Sequence, residues 1–256
     1  DTGLWQIGRA LAREPAGAVT YLTPRPVDHP TLAFALATAA EEGGGPPVPV
    51  SFDGRHILPL TAAANAAAET YFVIDHEDFR TRLLLPEVLP TANVSAVIRD
   101  PHGLPYATVY TRPPGAVPAR APQQTLNVAL NDAIGLGGYD VQPAALHAGE
   151  ILYLQLHWLV NAAPEEDWTV FTHLLREEAD GSYVQVAGAD GLPGRGSLPA
   201  SRWQSGWRVL DEYQLALPEG LAPGTYTLAV GLYQPDGTRL PPSGPGVILG
   251  DVVIAP

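Results

Sequence analysis

From about residue 125 onward, apolar and polar positions alternate in short runs separated by turn signals. Residues 125–130, 134–141, 151–160, 169–175, 183–189, 208–216, 224–233 and 247–254 each read as a strand. Asp180-Gly181, Pro223-Gly224 and Asp236-Gly237 supply turns between them. No helical periodicity longer than two turns interrupts this half. Regular short strands with turns between them predict a jelly-roll-like antiparallel β-sandwich over residues 125–256.

The first half has a different rhythm. Leu4, Ile7, Ala10 and Leu11 share one helical face, so residues 3–13 read as a helix. Residues 18–22 read as a strand ended by Thr23-Pro24, and residues 32–39 as a short apolar helix. Glu41 to Pro49 is a Gly/Pro loop. Residues 50–52 and 56–60 are strand candidates around Asp53-Gly54, and residues 70–74 (TYFVI) form a buried-strand pattern. Asp75 is the expected cap of a helix whose apolar face is Phe79, Leu83 and Leu84, with Asp78 completing an approximate capping box. Residues 93–99 and 106–111 flank Asp100-Pro101-His102-Gly103 as a hairpin. Strands alternating with helices predict a small α/β layer domain over residues 1–115. Residues 116–124 belong to a proline-rich linker that begins near Arg112. The expected fold class is thus α+β with two domains.

Composition narrows the function classes. The formal net charge is −13, which argues against nucleic acid and against an anionic membrane surface. Zero cysteines exclude disulfides, thiolate catalysis and Cys-ligated zinc. All 14 basic residues are arginine, so Schiff-base and lysine general-base chemistry are excluded as well. No apolar run reaches the ~18 residues of a membrane span, and no signal peptide is recognisable. The start at Asp1 and the lack of methionine are those expected of a piece of a longer protein.

Candidate chemistry centres on SRWQSGW. Trp203 and Trp207, flanked by Arg202 and Arg208, are the candidate ligand-binding residues: exposed rings can stack on sugar faces, and guanidinium groups can bind hydroxyls. The competing reading is that the tryptophans plug the end of the sandwich. Asp190 and Asp211 are the candidate metal ligands, since jelly-roll sandwiches can hold a structural calcium with loop carboxylates. An Asp-Gly turn and a strand-edge hydrogen bond compete with that role. The acidic runs Asp75–Asp78, Glu165–Asp167 and Glu177-Glu178 are better read as a helix start and solvated charge than as a metal cluster or a hydrolytic pair. His157 and His173 are expected on sandwich strands as half-buried face residues. No catalytic residue is expected, and no cofactor beyond calcium.

One longer pattern emerges. It comprises Gly138-Tyr139, Gly149-Glu150 before residues 154–158, the run DWTVFTHLL at residues 167–175, Ala189-Asp190-Gly191-Leu192-Pro193, Trp203, Asp211, and Gly231-Leu232-Tyr233 before Gly237-Thr238-Arg239-Leu240. It resembles the C-terminal extracytoplasmic region of bacterial membrane glycosyltransferases of the dolichyl-phosphate-mannose-protein mannosyltransferase type. VTYLTP at residues 19–24 and VDHPT at residues 27–31 are similar to the segment after the last transmembrane helices of that group. The resemblance implies a non-catalytic region on the extracytoplasmic face of the cell membrane. Catalytic acids would lie in an upstream loop. The expected partners are the transmembrane part of the same polypeptide and a glycan, protein or lipid-linked sugar acceptor. The alternative is a stand-alone carbohydrate-binding or adhesion sandwich.

Overall fold

The computed structural model describes residues 2–15, 17–41, 48–143 and 145–256. Of the loop expected at residues 41–49, positions 42–47 lie outside the described residues. The chain is mostly β-sheet and divides into two compact units, Asp1–Arg120 and Ala121–Pro256.

The first unit contains α1 (Thr2–Leu11), β1 (Val19–Thr23), α2 (Pro30–Glu41), β2 (Val50–Ser51), β3 (Ile57–Thr61), β4 (Glu69–Val73), α3 (Phe79–Val88), β5 (Asn93–Arg99) and β6 (Pro105–Arg112). One sheet has the order β2-β1-β4-β6-β5. Strands β1, β2 and β4 run parallel, with Tyr21 level with both Val50 and Tyr71; β6 and β5 are antiparallel. Alternation sorts residues to two faces. Leu22, Phe72, Ile74, Ala107 and Val109 meet Leu4, Ile7 and Leu11 of α1 and Leu32 of α2 in one core cluster. The expected face of Leu4, Ile7 and Leu11 is thus the buried one.

The opposite face holds an ion pair. Glu69 and Arg112 are cross-strand partners, 2% and 0% exposed. Arg112 Nη1 donates to Glu69 Oε2 at 2.9 Å and to the Thr61 carbonyl at 3.0 Å. Its Nη2 donates to the carbonyls of Ala63 at 2.9 Å and Ala116 at 2.6 Å. Tyr21 stacks on Tyr71 beside this pair, with ring centroids 4.4 Å apart.

The start of α3 differs from expectation. The cap is Asp78, not Asp75: Asp78 Oδ1 accepts the Thr81 N–H at 2.9 Å, and Oδ2 accepts the Thr23 hydroxyl. That hydroxyl in turn accepts the Gly54 N–H at 2.8 Å. Three chain segments close on one buried carboxylate, and only glycine fits at position 54. A Cβ there would lie 2.0 Å from both Asp78 Oδ2 and Thr81 Oγ1. The helix turns Thr81, Leu84, Leu85 and Val88 inward, while Phe79 and Leu83 stay exposed. Of the expected apolar face only Leu84 is buried.

The second unit contains β7 (Gln124–Ala129), β8 (Ile134–Gln142), β9 (Ile151–Val160), β10 (Thr169–Glu177), β11 (Tyr183–Gly188), β12 (Trp207–Ala216), β13 (Gly224–Tyr233), β14 (Arg239–Leu240) and β15 (Val247–Ile254). The strands lie in the orders β12-β9-β8-β7 and β11-β10-β13-β14, with β15 also paired to β13; all these pairings are antiparallel. Leu152, Leu154, Leu156, Trp158 and Val160 alternate inward along β9, as do Val170, Thr172 and Leu174 along β10. Antiparallel sheets with buried alternate positions are consistent with a β-sandwich. Between β11 and β12 the chain makes two short 3₁₀ turns, Pro193–Gly196 and Ala200–Arg202.

Candidate functional site

The segment between β11 and β12 is organised around Asp211, which is fully buried on β12. Its Oδ1 accepts the Gly194 N–H at 2.9 Å. Its Oδ2 accepts the Tyr213 hydroxyl at 2.8 Å and the Trp158 Nε1–H at 3.3 Å. Gly194 and Arg195 both take positive φ, 58° and 55°, within the turn that presents this N–H. Trp203 is 2% exposed, lies 6.3 Å from Trp158 between ring centroids, and donates from Nε1 to the Leu198 carbonyl at 3.1 Å. Trp207 is 3% exposed. A stacking platform needs an open ring face, and neither tryptophan has one. They close the loop onto the sandwich. Arg202 donates to the Ser197 carbonyl at 2.9 Å, so it ties the same loop together; Arg208 is half-buried on β12.

Asp211 does not suit calcium. Its oxygens face N–H and O–H donors, whereas calcium needs six or more oxygen ligands turned toward one point. Among the described residues no three His, Asp or Glu side chains are grouped to hold a metal. Asp190 lies elsewhere, 39% exposed at its side chain and 3.4 Å from His173. Burial holds His173 below the ordinary histidine range; Asp190 pulls it up and Arg239 pushes it further down. His157 is buried on β9, its Nε2 3.1 Å from Asp140 Oδ2.

The acidic runs are engaged locally. Glu166 accepts from Gln234, Asp167 accepts the Ser201 N–H at 3.0 Å, and Glu178 pairs with Arg176 at 2.8 Å. Glu77 pairs with Arg25 at 2.7 Å.

Burial, then Asp211 itself, raises Tyr213 well above the ordinary tyrosine range. An unfolded tyrosine ionises near pH 10 while the folded one stays protonated, so the native state holds the extra proton and stability falls as pH rises above ~10. Tyr213→Phe is expected to make that alkaline decline shallower by about 1.4 kcal/mol per pH unit. Urea melts at a series of pH values up to the alkaline transition check this. An unchanged slope would count against it.

Sequence reasoning missed a cleft in the second unit. About 280 Å³ opens between β8, the approach to β7, and β15. Its floor is Leu228 and its wall Tyr139, whose hydroxyl donates to the Leu249 carbonyl at 2.8 Å. Gln123, Gln124 and Asp251 line it with amide and carboxylate groups. Gln123 Oε1 accepts the Val141 N–H at 3.2 Å. The cleft is just below the ~300 Å³ at which drug-sized pockets begin, and it combines an apolar floor with a few polar groups. Such a set can hydrogen-bond hydroxyls, and it contains no nucleophile–base pair. Nothing local in the sequence links Gln123 with Asp251; only the fold brings them together.

No family model matches the chain, and no curated protein matches it. Solved structures give distant likenesses. One is to a Pseudomonas fluorescens alkylpurine DNA glycosylase bound to DNA containing an abasic site analogue, at 12% identity and TM-score 0.28, over 49% of this chain and 30% of that one. Another is to a Corynebacterium diphtheriae protein whose description reads membrane anchored protein, at 13% identity and TM-score 0.23, over 78% of this chain and 61% of that one. The alignments thus span less than two thirds of the length of each of those two matched chains.

Proposed function

We propose that the chain is a non-catalytic extracytoplasmic region of a polytopic membrane glycosyltransferase of the dolichyl-phosphate-mannose-protein mannosyltransferase type. In this reading it comprises an α/β layer domain and a jelly-roll-like sandwich, and it holds or orients a glycan or protein acceptor for the transmembrane part. One observation supports it above others. Trp158, Pro193, Trp203 and Asp211, which carry much of the sequence resemblance, converge on a single buried loop closure. In this reading those residues build the fold that the resemblance implies. In this reading the acceptor would contact the 280 Å³ cleft.

The test has two arms. The native gene is expected to encode a series of apolar spans, each of ~18 residues or more, upstream of Asp1; a gene without them favours the stand-alone carbohydrate-binding module that the cleft would also suit. Deleting residues 1–256 from the parent is expected to lower transfer to acceptor while leaving donor binding intact. Transfer that survives the deletion unchanged removes the acceptor role.

A further inference from the structure

The first unit carries a separate groove of about 540 Å³ on the sheet face opposite α1 and α2. Val94 and Val97 of β5 lie level with Tyr110 and Thr108 of β6 and form its floor with them. Arg82 reaches it from α3, Arg99 from the end of β5, and Asp75 from the end of β4. It therefore lies beside the carboxyl end of a parallel strand, where open α/β sheets place their ligands.

The groove brings two arginines together in an acidic chain. The chain carries a formal net charge of −13, and many of its arginines sit against carboxylates: Arg25 on Glu77, Arg55 on Asp53, Arg112 on Glu69, Arg120 on Glu87 and Arg176 on Glu178. Arg82 and Arg99 have no carboxylate partner among the described residues. The Arg82 guanidinium rests 5.9 Å above the Phe79 ring, and Arg99 donates once, to the Gly103 carbonyl at 2.7 Å. Tyr110 is 8% exposed, and its hydroxyl has no hydrogen-bond partner among the described residues. Burial, then the nearby Asp75, raises its pKa, while Arg82 opposes the rise, so at neutral pH it is an intact O–H donor.

Asp75 is the one carboxylate in the lining. Its Oδ2 accepts the Thr108 hydroxyl at 2.7 Å, and its Oδ1 is buried away from solvent without a partner. One of its oxygens is thus held by the sheet, and besides Tyr110 the other titratable or charged groups of the lining are Arg82, Arg99 and His76, whose half-exposed ring lies 3.6 Å from Glu77. Val94 and Val97 are 55% and 40% exposed, an apolar strip beside those cations.

We propose that this groove binds an oxyanion, phosphate or carboxylate, borne on an apolar body. Arg82 and Arg99 take the anionic oxygens, the Tyr110 hydroxyl donates to one of them, and Val94 and Val97 cover the apolar part. Guanidinium groups suit this role because they are weakly hydrated and present their donors in a planar fork.

The complete chain is titrated with hexyl phosphate, hexanoate, inorganic phosphate and hexyl β-glucoside, read by calorimetry and by amide NMR shifts. Hexyl phosphate or hexanoate is expected to bind, to shift β5 and β6 amides, and to weaken as salt rises. The order of those two identifies the preferred oxyanion. Inorganic phosphate is expected at the same site but more weakly, and the glucoside not at all. Arg82→Gln combined with Arg99→Gln is expected to weaken binding by about tenfold or more, with circular dichroism unchanged. Should that variant misfold, Val97→Glu at an already exposed position places a carboxylate beside the ligand and is expected to abolish anion binding. Three results would overturn the proposal: no anion bound at millimolar concentration, glucoside binding as tight as hexyl phosphate, or anion affinity unchanged in the folded variants.

Discussion

Arg112→Ala is expected to destabilise the Asp1–Arg120 unit by about 3–5 kcal/mol, the range for breaking a buried ion pair from one side. Arg112 is 0% and Glu69 2% exposed, so removing the guanidinium leaves a carboxylate in the interior with no counter-charge. The carbonyls of Thr61, Ala63 and Ala116 lose a donor in the same step. Each orphaned polar group adds its own desolvation cost of about 1–3 kcal/mol where no water can replace the donor. Arg112→Lys keeps the charge but offers a compact ammonium in place of a fork, so it cannot span four acceptors and is expected to fall between wild type and alanine. The sharper comparison is the double variant Arg112→Met with Glu69→Met, which removes both charges and keeps apolar volume. It is expected to recover a large part of the loss. Urea denaturation of the three variants provides the measurement. A double variant no more stable than Arg112→Ala would show that the carbonyl contacts, and not the stranded Glu69, set the cost.

Asp211→Ala is expected to cost the Ala121–Pro256 unit about 3–5 kcal/mol, because three buried donors lose their acceptor together. The Gly194 N–H, the Trp158 indole and the Tyr213 hydroxyl all point at this one carboxylate. The change should be visible in tryptophan fluorescence before global unfolding, since Trp158 and Trp203 lie 6.3 Å apart beside the loop that the carboxylate holds. Asp211→Asn keeps the shape and one acceptor oxygen but turns an amide N–H₂ toward a donor, so an intermediate loss is expected. An alanine variant within ~0.5 kcal/mol of wild type would place Asp211 with ordinary surface positions and reopen its candidacy as a metal ligand.

The strands at Ile151–Val160, Gly224–Tyr233 and Val247–Ile254 could be read from the sequence because their alternation is strong and turns bound them on both sides. The two-residue β14 could not, since it is too short to show a period. The start of α3 was misplaced for a related reason. Asp75 and Asp78 are equally good caps by type. What selects Asp78 is the Thr23 hydroxyl, 55 residues away, and the bare backbone of Gly54. The tryptophans of SRWQSGW show the same limit at the candidate site. Their spacing suits a ligand loop and a plug alike, and the burial of both rings, with the Leu198 carbonyl accepting from Trp203, decides for the plug. The cleft and the groove were invisible because each joins residues far apart in the chain, Gln124 with Asp251 and Arg82 with Pro105.

β5 closes the sheet on one side and is exposed along nearly its whole length. Its pairing with β6 slips between Val94 and Ala96 and again between Ile98 and Arg99. The Ser95 hydroxyl, at the first slip, is 3.3 Å from the Val109 carbonyl and receives the Thr111 hydroxyl. A strand with two such irregularities twists and breaks the even spacing of its outward N–H and C=O groups. Another chain cannot extend a regular ladder along it, so an edge carrying two exposed valines is guarded against fibril growth by its geometry.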